Sequence, residues 1–238
     1  MKYYKRNRSY EQNKLSILLS FYFCPMIFNE EISRTTARSL LQIKAVKLSP
    51  HEPFTWTSGI KSPIYCDNRI TLSFHAIRTY IRQQFVHIIR EEFGPVEYIA
   101  GVATGGIAQG ALVAQEFGLP FVYVRSEKKG HGLENKIEGR VETGKSIVII
   151  EDLVSTGGSS LAAFHALTEA GFIVKGMVAI FSYNLEVANK NFKDAKCRLI
   201  TLSDYNSLIN EALESNYITD DDLQSLVKWR ENPEKWGT

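Results

Sequence analysis

The sequence predicts an α/β protein: a parallel β-sheet with helices packed on both of its faces. Three observations carry that expectation. From about residue 98 onward, short runs of Val, Ile and Ala alternate with segments of helical apolar spacing, which is the pattern of strand–helix–strand units. The stretch 146–160, SIVIIEDLVSTGGSS, passes from a β-branched run through two adjacent carboxylates into a small Gly- and hydroxyl-rich turn, and then into a helix. At 238 residues, with 44% hydrophobic and 23% charged residues, the chain is long enough to bury the core of one such domain with additions.

The elements follow in order. Residues 1–28 begin with a basic MKYYKRNR and continue into an apolar run from Leu15 to Phe28. That run mimics a secretory signal but is too short to span a bilayer and lacks a small-x-small cleavage site. Met26 offers a second start, so 1–28 is expected to be a disordered or mis-started extension. Residues 31–46 read as an amphipathic helix with Ile32, Ala37, Leu40, Leu41, Ile43 and Ala45 on one side. Residues 50–69, rich in Pro and aromatics, suggest short strands and turns. Residues 74–93 return to helical spacing with Ile77, Ile81, Phe85 and Ile88.

Tyr98–Val102 reads as a strand, Ile107–Phe117 as a helix closed by Gly118, and Phe121–Arg125 as a strand. A long polar stretch, Ser126–Lys145, precedes the strand Ile147–Ile150 and its helix Ser159–Ala170, closed by Gly171. Val174–Phe181 is a strand, Leu185–Phe192 a short helix and Arg198–Leu202 a last strand. The main domain is thus expected over 29–205, with 206–238 as a C-terminal helical extension packed on it. Residues 203–238 carry three bases and eight acids.

Charge excludes some functions. The net charge is +2, but residues 1–25 hold five Lys/Arg against one acid, so the remainder is slightly acidic. That balance argues against a nucleic-acid binder. Three widely spaced cysteines, Cys24, Cys66 and Cys197, make neither a metal spacing nor a disulfide framework. They suit a reducing cytoplasm.

The chemistry concentrates at 146–160. Adjacent acids at the end of a buried strand are costly unless they face a ligand or a cation. A following Gly- and hydroxyl-rich loop at a helix N-terminus is suited to phosphate, and carboxylates suit a ribose diol. Residues 125–140, RSEKKGHGLENKIEGR, place Arg125, Lys128, Lys129 and His131 among glycines. Mobile cations there could close over a diphosphate and neutralise a leaving group. Residues 139–146, GRVETGKS, match the P-loop pattern. They precede a strand instead of following one, so they are expected to form a turn and not a nucleotide cradle.

The 151–160 stretch resembles the phosphoribosyl diphosphate (PRPP) signature of the type I phosphoribosyltransferase family. Three motifs in order narrow the resemblance to orotate phosphoribosyltransferases over roughly residues 30–230. These are SG-x-KSPIY-x-DNR within 54–69, Arg125 with Lys129-x-His131, and Glu151–Ser160. The resemblance implies the type I fold with a small N-terminal hood, about 47–70, that covers the base. It implies transfer from PRPP to orotate, with Lys129, His131 and Asp152 as catalytic residues.

It implies PRPP binding by Arg125, Lys129, His131, Glu151, Asp152, Leu153, Val154, Ser155, Thr156, Gly157, Gly158 and Ser159. The turn Ala103-Thr104-Gly105-Gly106 would approach the diphosphate through its backbone. Ser155 would also touch orotate, and Lys61 or Arg69 would meet its carboxylate. Mg²⁺ would be bound mainly through PRPP, without a dedicated protein metal site. A homodimer would share the Arg125–His131 loop between subunits, with no nucleic-acid or membrane partner. The chain departs from many relatives at Thr57, Ser126 and Tyr183-Asn184, where basic residues are common. Alternatives are a purine or uracil phosphoribosyltransferase and a non-catalytic PRPP-sensing regulator.

Overall fold

The structure is a computed structural model that describes residues 26–56, 59, 61–125, 136–233 and 235–236. The expectations placed on residues 1–25, Thr57, Ser126, Lys128, Lys129 and His131 lie outside the described residues. The strands are β1 (Met26–Ile27), β2 (Val46–Leu48), β3 (Phe54–Thr55), β4 (Lys61–Ser62), β5 (Ile64–Cys66), β6 (Tyr98–Val102), β7 (Phe121–Val124), β8 (Ile137–Glu138), β9 (Ser146–Val154), β10 (Ile173–Ser182) and β11 (Leu199–Asp204). The helices are α1 (Glu30–Gln42), α2 (His75–Ile88), α3 (Gly105–Phe117), α4 (Gly158–Glu169), α5 (Glu186–Asp194), α6 (Tyr205–Glu214) and α7 (Asp220–Glu231).

Among the described residues, seven strands form the main sheet in the order β1-β11-β10-β9-β6-β7-β8. All pair in parallel except β8, which returns antiparallel along β7. Side chains alternate across β9: Ile147 and Ile149 enter one core with α4 and α5, while Val148 and Ile150 enter the other with α1, α2, α3, α6 and α7. A strand covered on both faces has no polar side to show, which is why 147–150 is an unbroken apolar run. The small region before the sheet is two antiparallel pairs, β2 with β5 and β3 with β4, followed by a 3₁₀ turn at Asn68–Ser73.

Helix ends follow local chemistry. Asn29 caps α1, its side chain accepting from the Glu31 and Ile32 amides at 2.8 and 3.1 Å, with Glu30 and Glu31 in the first turn favouring the helix dipole. Thr219 and Asp222 form a reciprocal capping box at α7. α3 stops at Gly118, which adopts the left-handed conformation.

The structure departs from the sequence expectation at several places. The sheet begins at Met26, so residues 26–28 join its edge: β1 pairs with β11, and the Phe28 amide donates to the Thr201 carbonyl. The first helix ends at Gln42, and Ala45 leads directly into β2, which begins at Val46. The second helix loosens into a π turn at Ile89–Phe93. Most relevant to function, β9 continues through Glu151 and Asp152 to Val154, because β10 supplies partners that far, pairing Ala179 with Glu151 and Ser182 with Val154.

Candidate active site

Strand order places the site. β6 leads through α3 to β7 on one side, while β9 leads through α4 to β10 on the other. β6 and β9 are neighbours, and their following helices lie on opposite faces. The chain therefore diverges in two directions at their carboxyl ends, and open α/β sheets bind ligands in the crevice this creates.

Glu151 and Asp152 end up in that crevice with different surroundings. Glu151 is 4% exposed. Its Oε2 accepts from the Ser160 hydroxyl at 2.8 Å, and its Oε1 from the Asp152 amide at 3.0 Å. Burial pushes its carboxyl well above the ordinary range, and the negative charge of Asp152 adds to the push. Asp152 is partly exposed and lies against the turn that opens α3. A Cβ built on Gly105 would come 2.1 Å from the Asp152 Cγ, and one on Gly106 would come 2.3 Å from the Ile150 carbonyl oxygen. The peptide bond Ala103–Thr104 in this turn is cis.

Both helices that face the crevice begin without a side-chain cap. Their first amides are open to an anion. The loop Ser155–Gly157 before α4 is held from outside: Asn191 donates to the Thr156 carbonyl at 3.1 Å. Gly157 has φ +83°, and a Cβ there would come 2.9 Å from the Phe192 ring. Thr156, Gly158 and Ser159 are exposed and Ser155 is half-buried. Val154 is fully buried, so it can meet a ligand only through its backbone, while Leu153 is half-buried and packs against the core.

Arg125 follows β7 at the same end of the sheet. Its amide donates to the Lys136 carbonyl at 2.8 Å, and its guanidinium lies 3.3 Å from Glu138 Oε1. These contacts close the base of the 126–135 segment, and β8 on its far side was not foreseen from sequence. Lys61 donates to Thr55 Oγ1 at 2.9 Å on the β3–β4 pair. Arg69 forks onto Asp67, with bonds of 2.7 and 2.8 Å. This hydrogen bonding holds the Asp67 carboxyl below its usual range. Of the two candidates for an orotate carboxylate, Arg69 is thus already paired.

Three further residues matter that sequence reasoning passed over. Asn68 is 1% exposed, and its amide nitrogen donates to the Asp152 carbonyl at 2.6 Å, tying the strand-and-turn region to β9. The Cys66 thiol lies 3.3 Å from Asn68 Oδ1 and orients that amide. Ser160, at the end of the hydroxyl-rich turn, satisfies Glu151. Asn68 stood inside the DNR motif, but its partner could not be read from spacing. The P-loop-like segment lies at the opposite end of β9. There Lys145 and Ser146 bond Glu97 at 2.8 to 3.1 Å, holding its carboxyl down at about 2, and a strand follows, not a helix.

A sheet crevice with an acid pair, two open helix N-termini and a phosphate-sized turn defines a ribose-phosphate-handling protein. Residues 70–216 match the phosphoribosyl transferase domain family, and the chain belongs to it. Within it, the chain is 52% identical over 206 residues to an orotate phosphoribosyltransferase of Porphyromonas gingivalis, covering 87% of this chain and 98% of that protein. It is a member of the orotate phosphoribosyltransferase family. Among solved structures, the UMP synthase of Leishmania donovani aligns with TM-score 0.70 and 26% identity over 83% of this chain and 42% of that longer one. The orotate phosphoribosyltransferase of Aeropyrum pernix shares the fold, with TM-score 0.67 and 24% identity over 77% of this chain and 99% of that one.

Proposed function

We propose that this chain transfers the phosphoribosyl group of PRPP to orotate, giving orotidine 5′-monophosphate and diphosphate, a step of de novo pyrimidine biosynthesis. The observation that carries the proposal is the hydrogen bond from Asn68 to the Asp152 carbonyl. It joins the base-covering hood to the ribose-binding strand, so one crevice can hold both substrates. Loss of orotate absorbance on adding PRPP and Mg²⁺ tests it. No absorbance change with orotate, but turnover of another base, would overturn it.

In this reading, Glu151 and Asp152 accept hydrogen bonds from the ribose hydroxyls. The amides and hydroxyls of Ser155–Ser159 hold the 5-phosphate at the N-terminus of α4. The 103–106 turn presents backbone to the diphosphate, and Ser155 also faces orotate, whose carboxylate meets Lys61 or Arg69. Among the described residues, no third His, Cys, Asp or Glu joins this acid pair in a metal-sized group. Two carboxylates suit Mg²⁺ carried largely by the substrate's own oxygens, because this ion keeps substrate phosphates among its ligands. When bound, it supplies charge neutralisation at the diphosphate. The chain's own work is to align the base nitrogen with C1 of the ribose and to exclude water.

Arg125, Lys129 and His131 neutralise the departing diphosphate. The loop that carries them springs from β7 and β8 at the outer edge of the sheet, which favours reaching into a second subunit of a homodimer. Replacement of Lys129 or His131 by Ala is expected to lower kcat by about a hundredfold, in line with loss of a charge stabiliser at the transition state. Wild-type kcat in both variants at saturating substrates would remove the loop from catalysis. Mixing Lys129→Ala subunits with Asp152→Asn subunits should restore activity if the loop is shared. We place the enzyme in the cytoplasm, where its free thiols Cys66 and Cys197 stay reduced.

A further inference from the structure

Trp229 on α7 is completely buried, yet its indole N–H has no hydrogen-bond partner among the described residues. Burying an unpaired donor is unfavourable, so the ring must be held by its packing. That packing is aromatic on three sides. Trp229 meets Trp56 edge-on with centroids 5.7 Å apart, Tyr183 edge-on at 5.9 Å and Tyr205 at 5.5 Å. Trp56 belongs to the hood, directly after β3, and its own N–H donates to the Ile64 carbonyl at 3.2 Å. Tyr183 is the first residue after β10 and also packs on Trp56, at 5.3 Å.

The next residue on α7 repeats the connection. Arg230 donates to the Asn184 carbonyl at 3.1 Å. Asn184 is left-handed, with φ +51°, and is bonded to Ser182, Asp204 and Asn189 at 2.9 to 3.1 Å. The turn after β10 is thereby rigid, and α7 fixes the hood against it. A cavity of about 780 Å³ extends from Trp56 and Thr156 to Arg230. Without the Trp229 ring, Trp56 would have room to sink toward that cavity. The ribose-phosphate half has supports of its own in Ser160 and Asn191, besides the Asn68 bond to the Asp152 carbonyl.

We infer that Trp229 is a positioning residue for the base half of the site: through Trp56 and Tyr183 it sets the height of the hood above the base. This rests on the reading of the hood as the base cover given above. Trp229→Ala is expected to raise the orotate KM about tenfold, as the loss of edge-on and tilted aromatic pairs implies, while the PRPP KM and kcat stay within about twofold of wild type. Trp229→Phe keeps a ring, drops the unpaired donor and should restore the orotate KM. Leu226→Ala removes an equally buried, non-aromatic side chain of the same helix and keeps the backbone carbonyl that accepts from the Tyr205 hydroxyl at 3.0 Å. It should lower Tm without moving the orotate KM. Should Trp229→Ala not fold, Trp229→Leu, apolar but ringless, carries the same expectation. The inference is overturned if both KM values move together, if Leu226→Ala reproduces the orotate shift, or if Trp229→Phe does not rescue. Failure of the wild-type protein to consume orotate would instead sink the proposed reaction, and is read separately.

Discussion

Gly105→Ala is expected to cost about a hundredfold in kcat/KM for PRPP while leaving the fold intact, since misplacing a binding group by an ångström can cost that much. The added methyl would sit 2.1 Å from the Asp152 Cγ and 2.2 and 2.3 Å from its two oxygens. No contact that short survives, so either the carboxylate or the turn must move. The turn is confined: Gly106 already lies against the Ile150 carbonyl, and a Cβ on Gly101 would meet the Gly106 oxygen at 2.8 Å. Asp152 is the freer group, and it rotates out of the crevice. Alanine is the better helix former by about 1 kcal/mol, so thermal stability should change little or rise at this first helical position. PRPP titration calorimetry and orotate-absorbance kinetics check the expectation, with Asp152→Asn as the reference that Gly105→Ala should match. An unchanged PRPP KM in Gly105→Ala would mean that Asp152 does not hold the ribose.

The same contact shows what the sequence could and could not disclose. Tyr98–Val102 was legible to the residue because every position is buried, and a short run of such residues between glycine-marked turns has few other readings. The hydroxyl-rich turn and its helix were legible because their chemistry is local. The full length of β9 was not. Two acids read as the end of a buried strand, but ladder pairing with β10 carries the strand past them, and only tertiary structure supplies that partner. Asn68 and Trp229 were hidden for the same reason: their partners, Asp152 and Trp56, lie 84 and 173 residues away in sequence. The P-loop-like glycines were correctly set aside because a motif is defined by its flanking elements, and those were readable. Local chemistry thus marked the groups proposed to hold phosphate and ribose, whereas the residues that position them had to be seen in three dimensions.

Glu151→Gln is expected to make the protein more stable at neutral and alkaline pH and less active. Burial, with help from the Asp152 charge, raises the folded-state pKa of Glu151 above its ordinary 4.5. The folded chain therefore retains a proton that the unfolded chain has released. Between 4.5 and the folded value, stability falls as pH rises, and above the folded value the full penalty remains. Glutamine carries no charge at any pH and escapes it. Its oxygen can accept from the Asp152 amide and its nitrogen can donate to the Ser160 oxygen, so neither present contact of Glu151 is left unsatisfied. The Tm difference between Glu151→Gln and wild type should be near zero around pH 4.5 and grow to a plateau at alkaline pH. Above the folded value, where Glu151 is a carboxylate, activity should move the other way, because a neutral amide accepts more weakly from a ribose hydroxyl than a carboxylate does, a loss of about tenfold in kcat/KM for PRPP. A residue placed for packing would gain neither pattern. Thermal melts across pH, paired with PRPP kinetics, separate the two roles: stability gained together with activity lost marks a carboxylate kept for its ligand, against the interest of the fold. A variant that is destabilised at every pH, or fully active, would count against that role.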